Sequence, residues 1–228
     1  MKQYKAIFLD WDDTLGNFRN AERQALTDIY NSYHLQILYP QFQDFYDCYH
    51  PYNIHLWELY GRSEITKEEL AFQRFYHPVM TLPDSRDLAK TLGDDFLRLT
   101  TKYFSLLPDA EQVARYLAAK YPLTIVSNGF IEVQYKKVEL SGLRDCFRYI
   151  VLSEEVGAQK PNPLIYQKAL ELNNLSAGDV LMVGDSYNSD IQGAINAGID
   201  QLWITKDTDD PRPSTYRTPN LKDLLSIL

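Results

Sequence analysis

Apolar residues occur along the chain in short, nearly continuous runs, and polar residues follow each run. Such runs are typical of strands that are buried on both faces, as in a parallel sheet. They predict five strands: Tyr4–Leu9, Leu123–Val126, Tyr149–Leu152, Val180–Val183 and Gln201–Ile204. Asp10, Ser127 and Asp185 lie just beyond the carboxyl ends of three of these strands.

Helical patterns separate the later strands. Pro163 suits a first helical turn, and Gly198 suits the residue after a last turn. In the segment 130–140, Val133, Lys137 and Leu140 recur at helical spacing. The predicted helices are 109–120, 130–140, 163–172 and 188–197, with a proline-rich loop at 209–214 and a short last helix near Leu221. This alternation predicts an α/β fold with right-handed crossovers, in which ligands bind beyond the carboxyl ends of the strands.

The segment 16–85 has a different pattern. It is rich in aromatic residues and predicts four helices, at 17–34, 41–49, 54–60 and 66–76, without clear strands. We therefore predict a helical domain at 16–85, inserted into an α/β core made of 1–15 and 86–228. An insertion directly after the first strand is expected to act as a lid over the strand ends.

Composition limits the class of protein. The 228 residues are 45% apolar and carry a net charge of -8, which suits a globular protein and disfavours binding to a nucleic acid polymer or an anionic membrane. Cys48 and Cys146 form no metal-binding or redox motif, which favours free thiols. With no recognisable signal or membrane span, we expect a cytoplasmic protein, and a monomer by default.

Asp10 and Asp12 suggest phosphate chemistry. A carboxylate can attack a phosphate monoester and form an acyl phosphate, provided that a cation lies between the two anions. Mg²⁺ suits this task because it prefers oxygen ligands. Residues i and i+2 of an extended chain point the same way, so Asp12 can protonate the leaving oxygen and then activate water. An acid-rich turn or helix cap would have a similar sequence.

Three further groups follow other strands. Ser127 and Asn128 are candidates for binding a phosphate oxygen, although a simple turn has the same sequence. Lys160, next to Pro161, can offset charge on the nucleophile and the transferred phosphoryl group, although an ordinary surface lysine remains an alternative. Asp185 is a candidate metal ligand. Asp190 can orient a ligand or Lys160, or favour a helix N-terminus.

With these residues in place, the chain resembles the haloacid dehalogenase (HAD) superfamily. Asp10 to Thr14 match its motif DxDxT, Ser127 its second motif and Lys160 its third, while Gly184, Asp185 and Asp190 match GDxxxxD. The resemblance implies a Rossmann-like core, a helical C1 cap and an aspartyl-phosphate intermediate. It also implies Mg²⁺ bound by the Asp10 side chain, the Asp12 main-chain carbonyl and the Asp185 side chain, with Thr14 and Asp190 supporting these ligands.

Core segments also resemble the pyrimidine 5′-nucleotidases of that superfamily. They are 127–130, 141–145, 150–157, 160–162 and 189–198. This resemblance implies a small phosphorylated substrate, above all a nucleoside monophosphate. Within the cap, Asn53 and the stacking-competent Trp57 are candidate substrate contacts, although cap aromatic residues also pack helices together.

Other functions remain open from the sequence. A dehalogenase is disfavoured because its first motif normally lacks the second acid, here Asp12. A sugar-phosphate or phosphoglycolate phosphatase or a phosphomutase would use the same core. A non-catalytic protein that binds a phosphorylated ligand would be expected to lack a catalytic acid, and all of them are present.

Overall fold

A computed structural model describes residues 2–228, and its internal contacts divide the chain into two compact units. The first unit joins the chain up to Asn17 with Phe104–Leu228, and the second is Phe18–Tyr103. The second unit is thus an uninterrupted insertion after the first strand.

A parallel sheet forms the centre of the first unit. Its strands are β1 (Ala6–Leu9), β2 (Leu123–Ser127), β3 (Phe147–Leu152), β4 (Val180–Gly184), β5 (Asp200–Ile204) and β6 (Tyr216–Thr218). They are ordered β3-β2-β1-β4-β5-β6, and every neighbouring pair is parallel. The carboxyl ends of β2, β1 and β4 are therefore neighbours at one edge of the sheet.

The five predicted strands are present, and β6 is an addition. It has only three residues, two of which are Arg217 and Thr218, so it contains no apolar run. Its strand character comes from pairing with β5, in which Trp203 lies opposite Arg217. The central strands β1 and β4 are apolar throughout because both faces are covered. In β1, Ile7 and Leu9 belong to one apolar cluster, while Ala6 and Phe8 belong to another.

The inserted unit is helical. It contains α1 (Phe18–Ser32), α2 (Phe42–Gly61), α3 (Lys67–Val79) and α4 (Ser85–Lys102), with a short 3₁₀ helix at Leu35–Ile37. Its core is a cluster of buried apolar residues from all four helices, among them Leu26, Ile29, Phe45, Tyr49, Phe75, Val79, Leu92 and Phe96.

Two features of this unit differ from the sequence-based expectations. The helices predicted at 41–49 and 54–60 are one helix, α2, which continues through Pro51. Burial of Phe45, Tyr49 and Leu56 along this helix offsets the backbone hydrogen bond that proline cannot donate. The inserted unit also ends at Tyr103 rather than at residue 85, because α4 contributes Leu92 and Phe96 to the helical core.

Short helices surround the sheet of the first unit. They are α5 (Ala110–Ala118), α6 (Ile131–Leu140), α7 (Ser153–Val156), α8 (Pro163–Asn173), α9 (Gln192–Asn196) and α10 (Leu224–Ile227). Single 3₁₀ turns occur at Arg144–Cys146, Ala177–Asp179 and Leu221–Asp223, and a π-helical turn at Tyr187–Ile191 precedes α9. The prediction of a parallel α/β core with an inserted helical region is confirmed. No helix within residues 2–228 is sufficiently long and apolar to span a bilayer.

Candidate active site

Three acids converge at the carboxyl edge of the sheet. Asp10 follows β1, Asp185 follows β4, and Asp190 lies in the π-helical turn after β4. Each offers a carboxylate oxygen, and the three oxygens lie within 4.8 Å of one another. Because β1 and β4 are adjacent and parallel, acids that are remote in sequence meet without any distortion of the sheet. The structure thus brings Asp10 and Asp185 together as the sequence predicts.

Lys160 pairs with two of these three acids. Its Nζ donates to Asp10 Oδ1 at 2.6 Å, to Asp190 Oδ1 at 2.7 Å and to the main-chain oxygen of Val126 at 2.8 Å. An ammonium group has three protons, so these bonds use its whole donor capacity. Lys160 is therefore a buried counter-ion for Asp10 and Asp190, rather than a free donor for a ligand.

The charges in this cluster act on one another strongly because they are buried. Burial raises the pKa of Asp10 well above its usual value, Asp190 and Asp185 raise it further, and Lys160 partly opposes them. Burial alone would lower the pKa of Lys160, but the charges and hydrogen bonds of Asp10 and Asp190 outweigh it and raise that pKa. Lys160 alone therefore does not offset the effect of burial and of the neighbouring acids on Asp10.

The donor set fits a hard divalent cation. Three ionised carboxylates and one ammonium group leave two negative charges uncompensated, and carboxylate oxygens are the ligands that Mg²⁺ prefers. Asp190 is the least available of the three acids. It is fully buried, and its Oδ1 accepts from Lys160 while its Oδ2 accepts from the main-chain N–H of Ser186 at 3.0 Å. Asp10 and Asp185 are the acids best placed to bind an ion.

Asp185 is supported from two sides. The Thr14 hydroxyl lies 3.4 Å from Asp185 Oδ1, and the indole N–H of Trp203 donates to the Asp185 main-chain oxygen at 2.8 Å. Thr14 is buried, as expected for a residue that supports a ligand from behind. Trp203 lies on β5 and was not among the predicted site residues, because a tryptophan in an apolar run looks like an ordinary core residue.

Asp12 lies in the loop after β1, two residues beyond Asp10, but its carboxyl group has different partners from that of Asp10. Lys137 Nζ donates to its Oδ1 at 2.8 Å, and Gln134 Nε2 donates to its Oδ2 at 2.9 Å. Between the two acids, Trp11 is fully buried and stacks on Phe104. Alternation along the extended chain thus sends the indole into the core and leaves both acids at the strand end.

Gln134 and Lys137 are site residues that the sequence analysis did not identify. Both are buried on α6. The signal was present, because the predicted apolar stripe of this helix already included Lys137, and a lysine at a buried helical position requires a partner.

Ser127 and Asn128 occupy the end of β2. The Ser127 hydroxyl accepts from Gln134 Nε2 at 2.7 Å and from the main-chain N–H of Gly129 at 3.2 Å. The Asn128 side chain forms a reciprocal pair with the Lys160 main chain: Nδ2 donates to its carbonyl at 3.0 Å, and Oδ1 accepts from its N–H at 2.8 Å. The Asn128 side chain therefore holds the Lys160 main chain, and a contact of Asn128 with phosphate stays a prediction.

The two candidate substrate residues of the helical unit lie on α2. Asn53 is inside the helix rather than beside a turn, is buried, and has no hydrogen-bond partner for its Oδ1 within residues 2–228. Trp57 is half-buried, and its ring meets that of Tyr60 edge-on, with the centroids 5.9 Å apart. Their contact with substrate stays a prediction.

Known proteins resemble this chain over its full length. YfnB of Bacillus subtilis, described as a HAD-hydrolase, is 30% identical over 232 residues, covering 100% of this chain and 97% of YfnB. The crystal structure of YfnB bound to magnesium has a TM-score of 0.88 and 28% identity, covering 100% of this chain and 99% of that one.

Two similar proteins are named for a nucleotidase activity. Pyrimidine 5′-nucleotidase YjjG of Escherichia coli is 35% identical over 199 residues, covering 87% of this chain and 84% of YjjG. Pyrimidine 5′-nucleotidase PynA of Streptococcus pneumoniae is 30% identical over 230 residues, covering 99% of this chain and 95% of PynA.

The family model of the haloacid dehalogenase-like hydrolases matches residues 4–198. This span contains all the acids of the site and both of its lysines, Lys137 and Lys160. The match confirms the resemblance inferred from the motifs. The chain belongs to the haloacid dehalogenase-like hydrolase family.

Proposed function

We propose that this protein is a Mg²⁺-dependent phosphatase that hydrolyses 5′-nucleotides, with Asp10 as the nucleophile. The observation that supports this most directly is the convergence of Asp10, Asp185 and Asp190, two of which pair with the Lys160 ammonium group. A buried carboxylate that is held next to a cation, with acids available to bind a second cation, is suited to attack an anionic phosphate.

The first half-reaction forms a phosphoenzyme. A carboxylate oxygen of Asp10 attacks phosphorus, the bond from phosphorus to the ester oxygen breaks, and Asp12 gives its proton to that leaving oxygen. Lys160 holds Asp10 in place and offsets its charge, while the Ser127 hydroxyl donates a hydrogen bond to a phosphoryl oxygen. Mg²⁺, held by Asp10, Asp185 and the Asp12 main-chain carbonyl, would supply positive charge next to the phosphoryl oxygens.

The second half-reaction restores the enzyme. Asp12, now ionised, takes a proton from a water molecule as that water attacks phosphorus, and the bond between Asp10 and phosphorus breaks to release inorganic phosphate. Asp12 is again protonated, so protons and bonds balance over the cycle. One carboxyl group thus acts first as acid and then as base, which requires it to be held at a fixed position.

Pyrimidine nucleoside monophosphates are the proposed substrates. Two relatives at 30–35% identity bear the name pyrimidine 5′-nucleotidase, and each is matched over most of its length. We assign substrate contacts to Asn53, whose Oδ1 can accept a hydrogen bond, and to Trp57, which can stack on a base. Replacing Trp57 with alanine is expected to raise KM for a nucleotide about 5- to 150-fold, the equivalent of 1–3 kcal/mol of base stacking.

A phosphate-release assay with purified protein tests the proposal. The panel contains pyrimidine and purine 5′-monophosphates, p-nitrophenyl phosphate, sugar phosphates and phosphoglycolate, each with Mg²⁺ and each with EDTA. We expect release from pyrimidine nucleotides that EDTA abolishes. A preference for a sugar phosphate would replace the substrate assignment, and an isomerised sugar without phosphate release would indicate a mutase.

Two aspartate variants identify the nucleophile. Asp10→Asn is expected to abolish phosphate release from every substrate, because an amide cannot form the acyl phosphate. Asp209→Asn makes the same chemical change at an exposed aspartate of the 205–214 loop and is expected to retain full activity. Full activity of Asp10→Asn would overturn the mechanism, and a protein that releases phosphate from none of the panel would overturn the proposed function.

A further inference from the structure

Helix α6 carries two buried polar side chains whose positions are unfavourable for packing alone. Gln134 is 1% exposed and Lys137 is 3% exposed, three residues apart on the same face of the helix. Gln134 Oε1 has no hydrogen-bond partner within residues 2–228. Burying an ammonium group and an unpartnered amide oxygen costs stability, so the contacts made by the nitrogen atoms must account for this arrangement.

These nitrogen atoms fix the carboxyl group of Asp12. Lys137 bonds to one oxygen and Gln134 to the other, at 2.8 and 2.9 Å. Two donors on two different oxygens define both the position and the plane of the group, which a single contact would leave free to rotate. The Asp12 side chain is nevertheless 26% exposed, so this carboxyl group can still meet a ligand.

Gln134 also connects Asp12 with the phosphate-binding candidate. The two protons of its Nε2 go to Asp12 Oδ2 and to Ser127 Oγ, the second at 2.7 Å. Ser127 Oγ accepts another bond from the Gly129 N–H, so both of its lone pairs are used. The hydroxyl proton of Ser127 must therefore point away from Gln134 and Gly129, as a donor. A phosphoryl oxygen, which is an acceptor only, requires that polarity.

We propose that Gln134 and Lys137 are positioning residues for the reaction: Lys137 holds Asp12 for proton transfer, and Gln134 fixes both Asp12 and the donor polarity of Ser127. This inference rests on the proposed phosphatase function. It predicts different effects for Lys137 and Gln134. Lys137 acts through Asp12, which protonates the leaving group when the phosphoenzyme forms. Gln134 also acts through Ser127, which binds the phosphoryl group that all substrates share.

The leaving group reveals the contribution of Lys137. An alkoxide leaving from a nucleotide needs a proton, whereas p-nitrophenolate is stable without one, so acid catalysis affects only the first substrate strongly. Lys137→Met is expected to lower kcat/KM for a pyrimidine 5′-monophosphate about 10- to 100-fold, which is part of the roughly 10²- to 10⁴-fold that general acid catalysis supplies. For p-nitrophenyl phosphate the loss should be less than about 3-fold. Lys136→Met, at the exposed neighbouring position of α6, is the matched control and is expected to change neither.

A double variant shows whether Lys137 acts through Asp12. If it does, adding Lys137→Met to Asp12→Asn causes no further loss on the nucleotide, because the group that Lys137 positions has already been removed. A purely structural role of Lys137 predicts losses that multiply and that affect both substrates alike. The thermal unfolding midpoint of each variant, measured alongside, identifies any variant that is simply unfolded.

The role of Gln134 is tested by replacing its donor amide with a group that can only accept hydrogen bonds. In Gln134→Glu the introduced carboxylate can only accept from Ser127 and repels Asp12. Weaker binding of inorganic phosphate as a competitive inhibitor is expected, with the inhibition constant raised about 10-fold, as for the loss of one charge-assisted hydrogen bond. Unlike Lys137→Met, this variant should lose kcat/KM on both substrates. Gln167→Glu, exposed on α8, introduces the same charge elsewhere and should behave like the unchanged protein.

The outcomes separate this inference from the proposed function. Phosphate release by the unchanged protein, together with a damaged Asp12→Asn and an unaffected Lys137→Met, would overturn the role of Lys137 and leave the phosphatase intact. Unaltered phosphate inhibition in Gln134→Glu would overturn the role of Gln134. A protein that hydrolyses neither substrate would overturn the function on which both roles rest.

Discussion

Lys160 Nζ lies 2.6 Å from Asp10 Oδ1, although the two residues are 150 positions apart in the chain. Asp10 follows β1, and Lys160 reaches it from the connection before α8. There the Asn128 side chain forms two hydrogen bonds with the Lys160 main chain. The ion pair therefore depends on three separate segments of the sheet unit. The same ammonium group also pairs with the buried Asp190, so Lys160 contributes both to the stability of the fold and to the position of Asp10.

Lys160→Met should destabilise the protein strongly. It would leave Asp10 and Asp190 buried without their cation, and removal of one partner from a buried ion pair typically costs about 3–5 kcal/mol. The ion pairs raise the pKa of Lys160 above about 10.4, the ordinary pKa of lysine. Its contribution to the free energy of unfolding is therefore complete below about pH 10.4 and is lost only as the pH rises further. Urea unfolding at pH 8 in EDTA measures the free-energy difference. Lys5→Met, which removes an exposed partner of Asp179, should cost under about 1 kcal/mol, and an equal loss in both variants would contradict the prediction.

Asp10→Asn should be more stable than the unchanged protein when no metal is present. Burial raises the pKa of Asp10, so the native state binds this proton more tightly than the unfolded state, and the ionised group opposes folding at pH 8. The contribution of Asp10 to the free energy of unfolding therefore rises as the pH falls from 8 towards the ordinary pKa range of a carboxyl group. The stability of Asp10→Asn should not show this rise. The variant is therefore expected to have a higher free energy of unfolding than the unchanged protein in EDTA.

Mg²⁺ should oppose this difference in stability. At 100 times its dissociation constant, a bound ion stabilises a native state by about 2.7 kcal/mol, and only the protein with an intact Asp10 should show that increase. Asp209→Asn serves as the control and should respond to Mg²⁺ like the unchanged protein. Urea unfolding of all three proteins with EDTA or Mg²⁺ provides the comparison, and equal stabilisation of Asp10→Asn would argue against Asp10 as a ligand.

The sequence predicted where the acids meet but not which side chains surround them. Apolar runs predict parallel strands, and the ends of parallel strands share an edge, so the meeting of Asp10 and Asp185 follows from pattern alone. The partners of Asp12 could not be predicted in this way, since a buried lysine on α6 is compatible with several neighbouring acids. Only the packed position of α6 shows that Lys137 and Gln134 reach Asp12.

Local sequence signals failed where tertiary packing opposed them. Pro51 predicts a helix boundary, yet α2 continues because buried residues stabilise it before the proline, at Phe45 and Tyr49, and after it, at Leu56. β6 has no apolar run, and its pairing with β5 alone defines it. The partner of the Asn128 side chain is the main chain of Lys160, 32 positions further along, which no local pattern indicates.

Gly184→Ala should damage the site through Asp190. A Cβ atom at Gly184 would collide with the carboxyl group of Asp190, which is fully buried and cannot move aside easily. The displaced acid would loosen Lys160, so we expect a stability loss of about 1–3 kcal/mol, as in an overpacked core, together with a fall in kcat. Gly178→Ala is the control, because its nearest neighbour would be Lys2 Nζ at 3.9 Å, and it should leave kcat unchanged. Full activity of both variants would show that Asp190 has room to adjust.

Trp203→Phe should weaken metal binding while preserving most of the packing. The indole N–H holds the Asp185 main-chain oxygen at 2.8 Å, and phenylalanine keeps an aromatic ring for contact with Tyr187 but donates no hydrogen bond. Loss of a partner that orients a metal ligand typically costs about 10- to 100-fold in metal affinity. The Mg²⁺ concentration that gives half-maximal activity should rise by such a factor, and saturating Mg²⁺ should restore most of kcat. Tyr187→Phe removes a hydroxyl from the same aromatic contact without touching the Asp185 main chain, so it should leave the Mg²⁺ requirement unchanged. An equal shift in both variants would mean that aromatic packing, rather than the indole hydrogen bond, positions Asp185.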